Sequence, residues 1–265
     1  MKRSAAALMA GLLVTIPAAM AAEITTQAAE TALPVAKAAM PTVKAAAETA
    51  VNAVTVPVRE QWELLLVNAW NPLPEDFQVE LVSLKNGMQV DKRIYEDLSA
   101  MLTDCRAAGL KPMVCSAYRT QATQTRLHNN KIARLRAAGY SKAAAVKEAS
   151  RWVAVPGTSE HQTGMALDLV SADYQLLNKK QEETPEQKWL MERCWEYGFI
   201  LRYPQEKAEL TGIGYEPWHY RYVGKEAAAA IRASGQCLEE YVLTASAVEV
   251  GGTAPISVSA PEETA

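Results

Sequence analysis

Only three histidines occur in the chain, and two of them stand in compact polar clusters, Ser159-Glu160-His161 through Asp168 and Glu216-Pro217-Trp218-His219. A divalent metal in a hydrolytic centre is commonly held by three nitrogen or carboxylate ligands, which leaves a fourth position for a water made nucleophilic near neutral pH. His161, Asp168 and His219 are the candidate ligands. Glu216, just before His219, is the candidate base for that water's proton.

Asp168 interrupts the apolar run Met165-Ala166-Leu167-Asp168-Leu169-Val170, so its carboxylate is expected to be buried. A buried carboxylate needs a cation or a metal, because desolvating the unpaired charge costs on the order of 5 kcal/mol. The bland alternative is a structural salt bridge to an arginine. On one straight strand His161 and Asp168 would point to opposite faces, so their convergence requires a bend, which Gly164 permits. Pro217 biases Glu216 toward extended backbone and argues against a regular helix carrying Glu216 and His219 on one face. A third cluster, Ser116-Ala117-Tyr118-Arg119-Thr120, offers a guanidinium able to clamp a carboxylate or steady an oxyanion. Taken alone, Arg119 is an ordinary arginine at a helix start. His128 reads as a surface or helix-packing residue. Trp218, Tyr220 and Tyr222 read as one packed face of a strand.

The elements that must hold these groups follow from apolar spacing and stop signals. Leu64 to Val67 reads as a short buried strand. Ile94 to Ala107 is a helix with Leu98, Met101, Leu102 and Cys105 on one face, stopping at Gly109. Pro112 to Tyr118 is a strand, and Thr120 caps a helix reaching about Ala137. Further helices are expected over Ser141 to Trp152, Glu186 to Tyr197 and Lys225 to Ser234, the last stopped by Gly235. Strands and helices without a regular βαβ period predict an α+β domain with a small antiparallel sheet flanked by helices.

At 265 residues and a formal net charge of −3, the chain can build one proper core, and nothing in the charge balance recommends nucleic acid as a partner. No partner protein is implied, and a monomer is expected. Met1 to Ala21 has the charge, apolar-run and small-residue order of a secretory signal, and its apolar run is shorter than the ~20 residues that span a bilayer. A secreted or cell-envelope location is therefore expected, with membrane tethering the alternative if the signal is not cleaved. Residues 22–58, rich in Ala, Thr, Pro and Lys without aromatics, read as a tether, residues 59–244 as the folded domain and residues 245–265 as a disordered tail. Export would let Cys105, Cys115, Cys194 and Cys237 pair in any of three ways, among which the sequence does not choose; a local Cys105–Cys115 bridge with a second Cys194–Cys237 bridge is one of them.

The clusters together resemble the zinc D-alanyl-D-alanine carboxypeptidases of the VanY type, whose superfamily includes the D-alanyl-D-alanine dipeptidases and the hedgehog amino-terminal domain. The resemblance covers nearly all of the expected domain. It rests on Leu64-Leu65-Leu66-Val67-Asn68 with Pro72-Leu73-Pro74, on Ser116 to Thr120 with Gln124, on Pro156 to Asp168, on Phe199 to Pro204 and on Tyr215 to Gly224. Ala117 stands where a glycine is frequent in the family. The resemblance implies Zn2+ on His161, Asp168 and His219, Glu216 as catalytic base and Arg119 as substrate or transition-state clamp. It further implies Ser116, Gln124 and Ser159 as substrate hydrogen-bond partners. The implied reaction removes the terminal D-alanine of a peptidoglycan stem peptide. Two alternatives remain at this level: an L,D-carboxypeptidase acting on tetrapeptide stems, and a metal-stapled wall-binding module without turnover. The joint presence of Glu216 and Arg119 favours an enzyme over the module. Asp173 to Thr184 is the candidate specificity wall.

Overall fold

In the computed structural model, which describes residues 61–249, a hairpin of β1 (Leu81–Ser83) and β2 (Gln89–Asp91) leads into helix α1 (Tyr95–Ala107) and strand β3 (Pro112–Ser116). Helices α2 (Gln121–Ala137) and α3 (Lys142–Ser150) follow, then strand β4 (Ala166–Ser171), helix α4 (Pro185–Arg193) and strand β5 (Phe199–Leu201). The short helix α5 (Ala208–Thr211), strand β6 (His219–Tyr222) and helices α6 (Lys225–Ser234) and α7 (Leu238–Glu249) complete the order. The main sheet is antiparallel with order β3-β4-β6-β5. This is the expected α+β architecture. The expected signal and tether, and residues 250–265 of the expected tail, lie outside the described residues.

Every residue of β4 is buried, because both faces of the sheet are covered. Leu167, Leu169, Tyr220, Tyr222 and Phe199 turn to one face and meet Leu98 and Met101 of α1 and Leu190 of α4. The period of two sends the intervening residues, Asp168, His219, Arg221 and Ile200, to the other face. Ile200 there joins Val223, Ala227, Ile231 and Leu238, so α6 and α7 cover that part of the face.

Several local signals act as expected. Thr120 Oγ1 accepts from Thr123 N at 3.2 Å and starts α2, and Ser141 Oγ accepts from Ala144 N at 3.2 Å and starts α3. Gly235 ends α6 in the left-handed region at φ +70°. His128 is buried on α2 and meets Ser150 Oγ at 3.1 Å across to α3, a helix-packing role.

Other expectations are corrected. Leu64 to Val67 is not a strand: a 3-10 turn covers Trp62–Leu64, and the carbonyls of Glu63 and Leu65 accept from the buried Arg221 Nη2 at 2.9 and 2.8 Å. The helix expected to reach Tyr197 ends at Arg193 and tightens into a 3-10 turn, Cys194–Tyr197, before Gly198. Lys225–Ser234 is not the last helix, because α7 continues to Glu249. All four cysteines are free thiols rather than bridged. Cys105 is buried on the inner face of α1, whereas Cys115 Sγ lies 3.5 Å from the Asp168 carbonyl oxygen. Cys194 packs in the α1 side of the core, and Cys237 is buried where α7 begins.

Candidate metal centre

Strand register assembles the site. Between Val114 and Ser116 the β3–β4 ladder shifts, a bulge that sets Ser116 opposite Asp168. The β4–β6 register sets Asp168 opposite His219. Opposed residues share a face, so Ser116, Asp168 and His219 form one row across three strands. His161 reaches the row from the 3-10 turn Glu160–Thr163, which Gly164 ends at φ +76°. A Cβ on Gly164 would lie 2.8 Å from the Asp91 nitrogen, which itself donates to the Gly164 carbonyl at 2.9 Å. Gly164→Ala is therefore expected to cost about 1–3 kcal/mol for the left-handed backbone alone, with the clash in addition. A lowered denaturation midpoint checks this; an unchanged midpoint would remove the bend's steric basis.

The three candidate ligands converge on a small space, with donor atoms all within 4.8 Å of one another. Asp168 Oδ1 lies 3.4 Å from His161 Nε2 and 3.2 Å from His219 Nδ1. His161 Nδ1 meets the Ala117 carbonyl at 2.8 Å. A carbonyl can only accept, so Nδ1 carries the proton and Nε2 presents its lone pair to the cluster. Asp168 Oδ1 is buried without a hydrogen-bond partner among the described residues. Such an oxygen is costly to bury, and a cation among the three ligands supplies what it lacks. Two imidazoles and a carboxylate with a fourth position facing a cleft are the donor set of a catalytic zinc.

Charges in the site follow from burial and neighbours. Burial disfavours ionised Asp168, but His161, His219 and Arg119 outweigh it and hold the carboxyl well below its usual range. His161 is pulled down to about 4, by burial first and then by the Arg119 charge, so it is neutral at pH 7, as a ligand must be. His219 moves the other way: burial pulls it down, but the carboxylates of Asp168 and Glu160, facing its two ring nitrogens at 3.2 and 3.5 Å, prevail and push it up to about 9. A metal on Nδ1 would displace that proton.

Glu216 is delivered by a turn with Pro217 second, closed by His219 N donating to the Glu216 carbonyl at 3.1 Å. Its Oε2 comes within 3.6 Å of His219 Nδ1. Burial, reinforced by the Asp168 charge and opposed by His219 and Arg119, pushes the Glu216 carboxyl up to about 8. That range suits a group that must take and return a proton near neutral pH.

Arg119 is positioned through Ser116, whose Oγ accepts from Nε at 2.9 Å and from Nη2 at 2.7 Å. Nη2 also donates to Asp168 Oδ2 at 2.8 Å. The salt-bridge reading of Asp168 and the ligand reading thus hold together, one carboxylate oxygen for each. Nη1 has no protein partner among the described residues and remains for a ligand. Arg119, Ser159, His161, Asp168, Glu216 and His219 all line one cleft of about 770 Å³. Ser116 and Gln124 do not line it. Ser116 acts by holding Arg119, while Gln124 is fully buried and its Nε2 donates to the Ala154 carbonyl at 2.7 Å, bracing the wall from behind. Trp218 precedes β6 and lines the cleft, so only Tyr220 and Tyr222 form the packed strand face.

Sequence reasoning named Glu160 without giving it a role. Its Oε1 accepts from Arg202 Nε at 2.7 Å and from Arg221 Nη1 at 2.8 Å, all three side chains being fully buried, while Oε2 faces His219 Nε2 at 3.5 Å. Arg202 and Arg221 stand inside apolar and aromatic runs. That is the signal that singled out Asp168, and it would have found them too.

A buried His/Asp/His cluster with a carboxylate beside it, open to a cleft on an α+β scaffold, defines a mononuclear metallohydrolase centre. Residues 87–225 match the family described as VanY, D-alanyl-D-alanine carboxypeptidase, and the chain belongs to that family. It is similar to the D-alanyl-D-alanine carboxypeptidase of Enterococcus faecalis (strain ATCC 700802 / V583), with 47% identity over 185 residues, covering 70% of this chain and 67% of that protein. Among solved structures, VanYB in complex with D-alanine-D-alanine shares 46% identity and superposes with a TM-score of 0.65, covering 69% of this chain and 98% of that one. A variant of the vancomycin resistance D,D-pentapeptidase VanY in complex with Zn(II) shares 45% identity at a TM-score of 0.63, covering 68% and 99%.

Proposed function

We propose that this protein is a zinc-dependent D,D-carboxypeptidase that removes the terminal D-alanine from peptidoglycan stem pentapeptides. The observation that carries this reading is the His161, Asp168 and His219 cluster with Glu216 beside it in an open cleft. The VanY relatives named above, one with zinc and one with D-alanine-D-alanine, support the metal and the substrate. When bound, zinc would supply Lewis acidity toward a carbonyl and a lowered pKa for water.

The chain's own residues carry the rest. Glu216 takes the proton of the attacking water and returns it to the departing amine of the leaving D-alanine. Arg119, fixed by Ser116 and Asp168, offers its free Nη1 to the oxygen that gains charge as the carbonyl becomes tetrahedral. Ser159 lines the cleft, as Ser116 does not, and offers its hydroxyl for a substrate hydrogen bond. The order of charge, apolar run and small residues from Met1 to Ala21 supports an extracytoplasmic location, where this substrate lies.

The test is mass spectrometry of products from muramyl pentapeptide and tetrapeptide stems incubated separately with the zinc-loaded protein. The expected result is loss of one alanine from the pentapeptide, abolished by a chelator and restored by zinc, with the tetrapeptide intact. Loss from the tetrapeptide would move the activity to the L,D class. No cleavage of either with stoichiometric zinc would leave a binding module.

A further inference from the structure

We propose that Lys131 and Arg134 on α2, with Lys179 of the same cleft, form a carboxylate-binding subsite, so that the preferred stem peptides carry a free side-chain carboxylate on their third residue. This deepens the D,D-carboxypeptidase reading and rests on it.

Helix α2 begins beside Arg119 and runs along the cleft. Leu127, Asn130, Lys131 and Arg134 line the cleft and share one helix face by their spacing of three and four. The helix contains no Asp or Glu, and it carries Arg126 and Arg136 besides. Lys179 also lines the cleft, after Leu177 and Asn178 in the segment expected to set specificity, and its Nζ donates to the neutral Gln205 Oε1 at 3.0 Å. The carboxylates of the lining are Asp168 and Glu216, both at the metal end. Beyond them the lining is cationic, in a chain whose formal net charge is −3.

These cations are not committed elsewhere. Arg151, Arg193 and Lys207 on other surfaces each pair with a glutamate. Neither Lys131 nor Arg134 pairs with a carboxylate among the described residues. Lys131 Nζ lies 5.8 Å from the Trp152 ring, itself a cleft residue. Its ammonium therefore sits over the cleft rather than out in bulk solvent.

The spacing fits one part of the substrate. A helical rise of ~1.5 Å per residue sets Lys131 roughly 15 Å and Arg134 roughly 20 Å along the axis from Gln121, and helical side chains lean back toward the N-terminus. An extended peptide advances ~3.3 Å per residue, so the Cα of the second residue on the amino side of the scissile bond lies roughly 5 Å from the reacting carbonyl. A long side chain from there extends along the cleft that Lys131 also lines. In a stem pentapeptide that residue is the third. It is a diamino acid that ends in an ammonium alone, as in lysine, or in an ammonium with a carboxylate, as in diaminopimelate. Unpaired cations along the cleft favour the second and disfavour the first.

The experiment uses the full, zinc-loaded chain and three pentapeptides that differ at the third residue: meso-diaminopimelate, its side-chain amide, and L-lysine. The expected kcat/KM is about tenfold higher for the free carboxylate than for either of the others, a single well-placed charge contact. The advantage is expected to shrink as ionic strength rises. In Lys131→Met/Arg134→Met the ratio is expected to fall toward one, chiefly through a raised KM for the diaminopimelate peptide. Equal kcat/KM on all three, or a preference that survives in the double variant, overturns the subsite while leaving the carboxypeptidase reading standing. No cleavage of any of the three overturns that reading, and the subsite with it.

Discussion

Glu216→Gln is expected to lower kcat on a stem pentapeptide by about 10²–10⁴-fold, the usual worth of a positioned acid–base group. The substitution is close to isosteric, so the turn through Pro217 and the hydrogen bond from His219 N to the Glu216 carbonyl persist. It also removes no partner that another buried charge depends on. The Glu216 side chain meets His219 Nδ1 at 3.6 Å, but that nitrogen is nearer to Asp168 Oδ1, at 3.2 Å. Burial already pushes the Glu216 carboxyl up to about 8, which shows that its surroundings tolerate a neutral group. Stability and zinc stoichiometry should therefore match the parent while turnover collapses. The readouts are kcat with the pentapeptide, the denaturation midpoint and bound zinc per chain. A rate within tenfold of the parent, with zinc retained, would take the base role away from Glu216.

What the sequence makes legible here is local chemistry, and what it hides is long-range pairing. Thr120, Ser141 and Gly235 bound their helices through contacts a few residues away, so the signal and its cause share one window. Gly164 is legible for a similar reason: two side chains on one strand cannot converge without a bend. The Leu64 to Val67 run misleads because a short apolar stretch fits a strand as well as an irregular segment. The outcome was decided by Arg221, far along the chain, whose guanidinium takes the Glu63 and Leu65 carbonyls. Helix α7 is hidden likewise. Its anchors are Leu238 in the second core cluster and Glu239 on Arg202, neither visible from its own composition. Within the site, residue types pointed to His161, Asp168, His219 and Glu216, which the structure brings together, whereas the row Ser116, Asp168 and His219 required the strand register and a bulge that no spacing rule contains. Ser116 and Gln124, expected at the substrate, lie behind the lining, where Ser116 holds Arg119 and Gln124 meets the Ala154 carbonyl.

Glu160→Gln is expected to damage both the fold and the metal site, by separable amounts. Glu160 sits at the centre of a buried charge set in which Arg202 and Arg221 face Glu160 and Glu239, two cations against two carboxylates. Both arginines hold Glu160 well below the usual carboxylate range in spite of complete burial. Removing its charge leaves a buried guanidinium uncompensated, a loss of about 3–5 kcal/mol by the measure of other broken buried pairs. The second consequence runs through Oε2. That oxygen and His219 Nε2 have no hydrogen-bond partner in the strict sense, yet they face each other at 3.5 Å. A carboxylate there holds the His219 proton on Nε2 and leaves Nδ1, beside Asp168, as the metal-facing nitrogen. Losing such a partner commonly costs 10–100-fold in metal affinity. Glu160→Asp separates the two effects. It keeps the charge the arginines need but withdraws the carboxylate by one methylene, so it should fold with a smaller loss of stability and still bind zinc at least about tenfold more weakly. Denaturation midpoints and chelator competition for zinc measure the two losses independently of turnover. Zinc affinity within threefold of the parent in a folded Glu160→Asp protein would reduce Glu160 to a structural charge and leave the orientation of His219 to Asp168 alone.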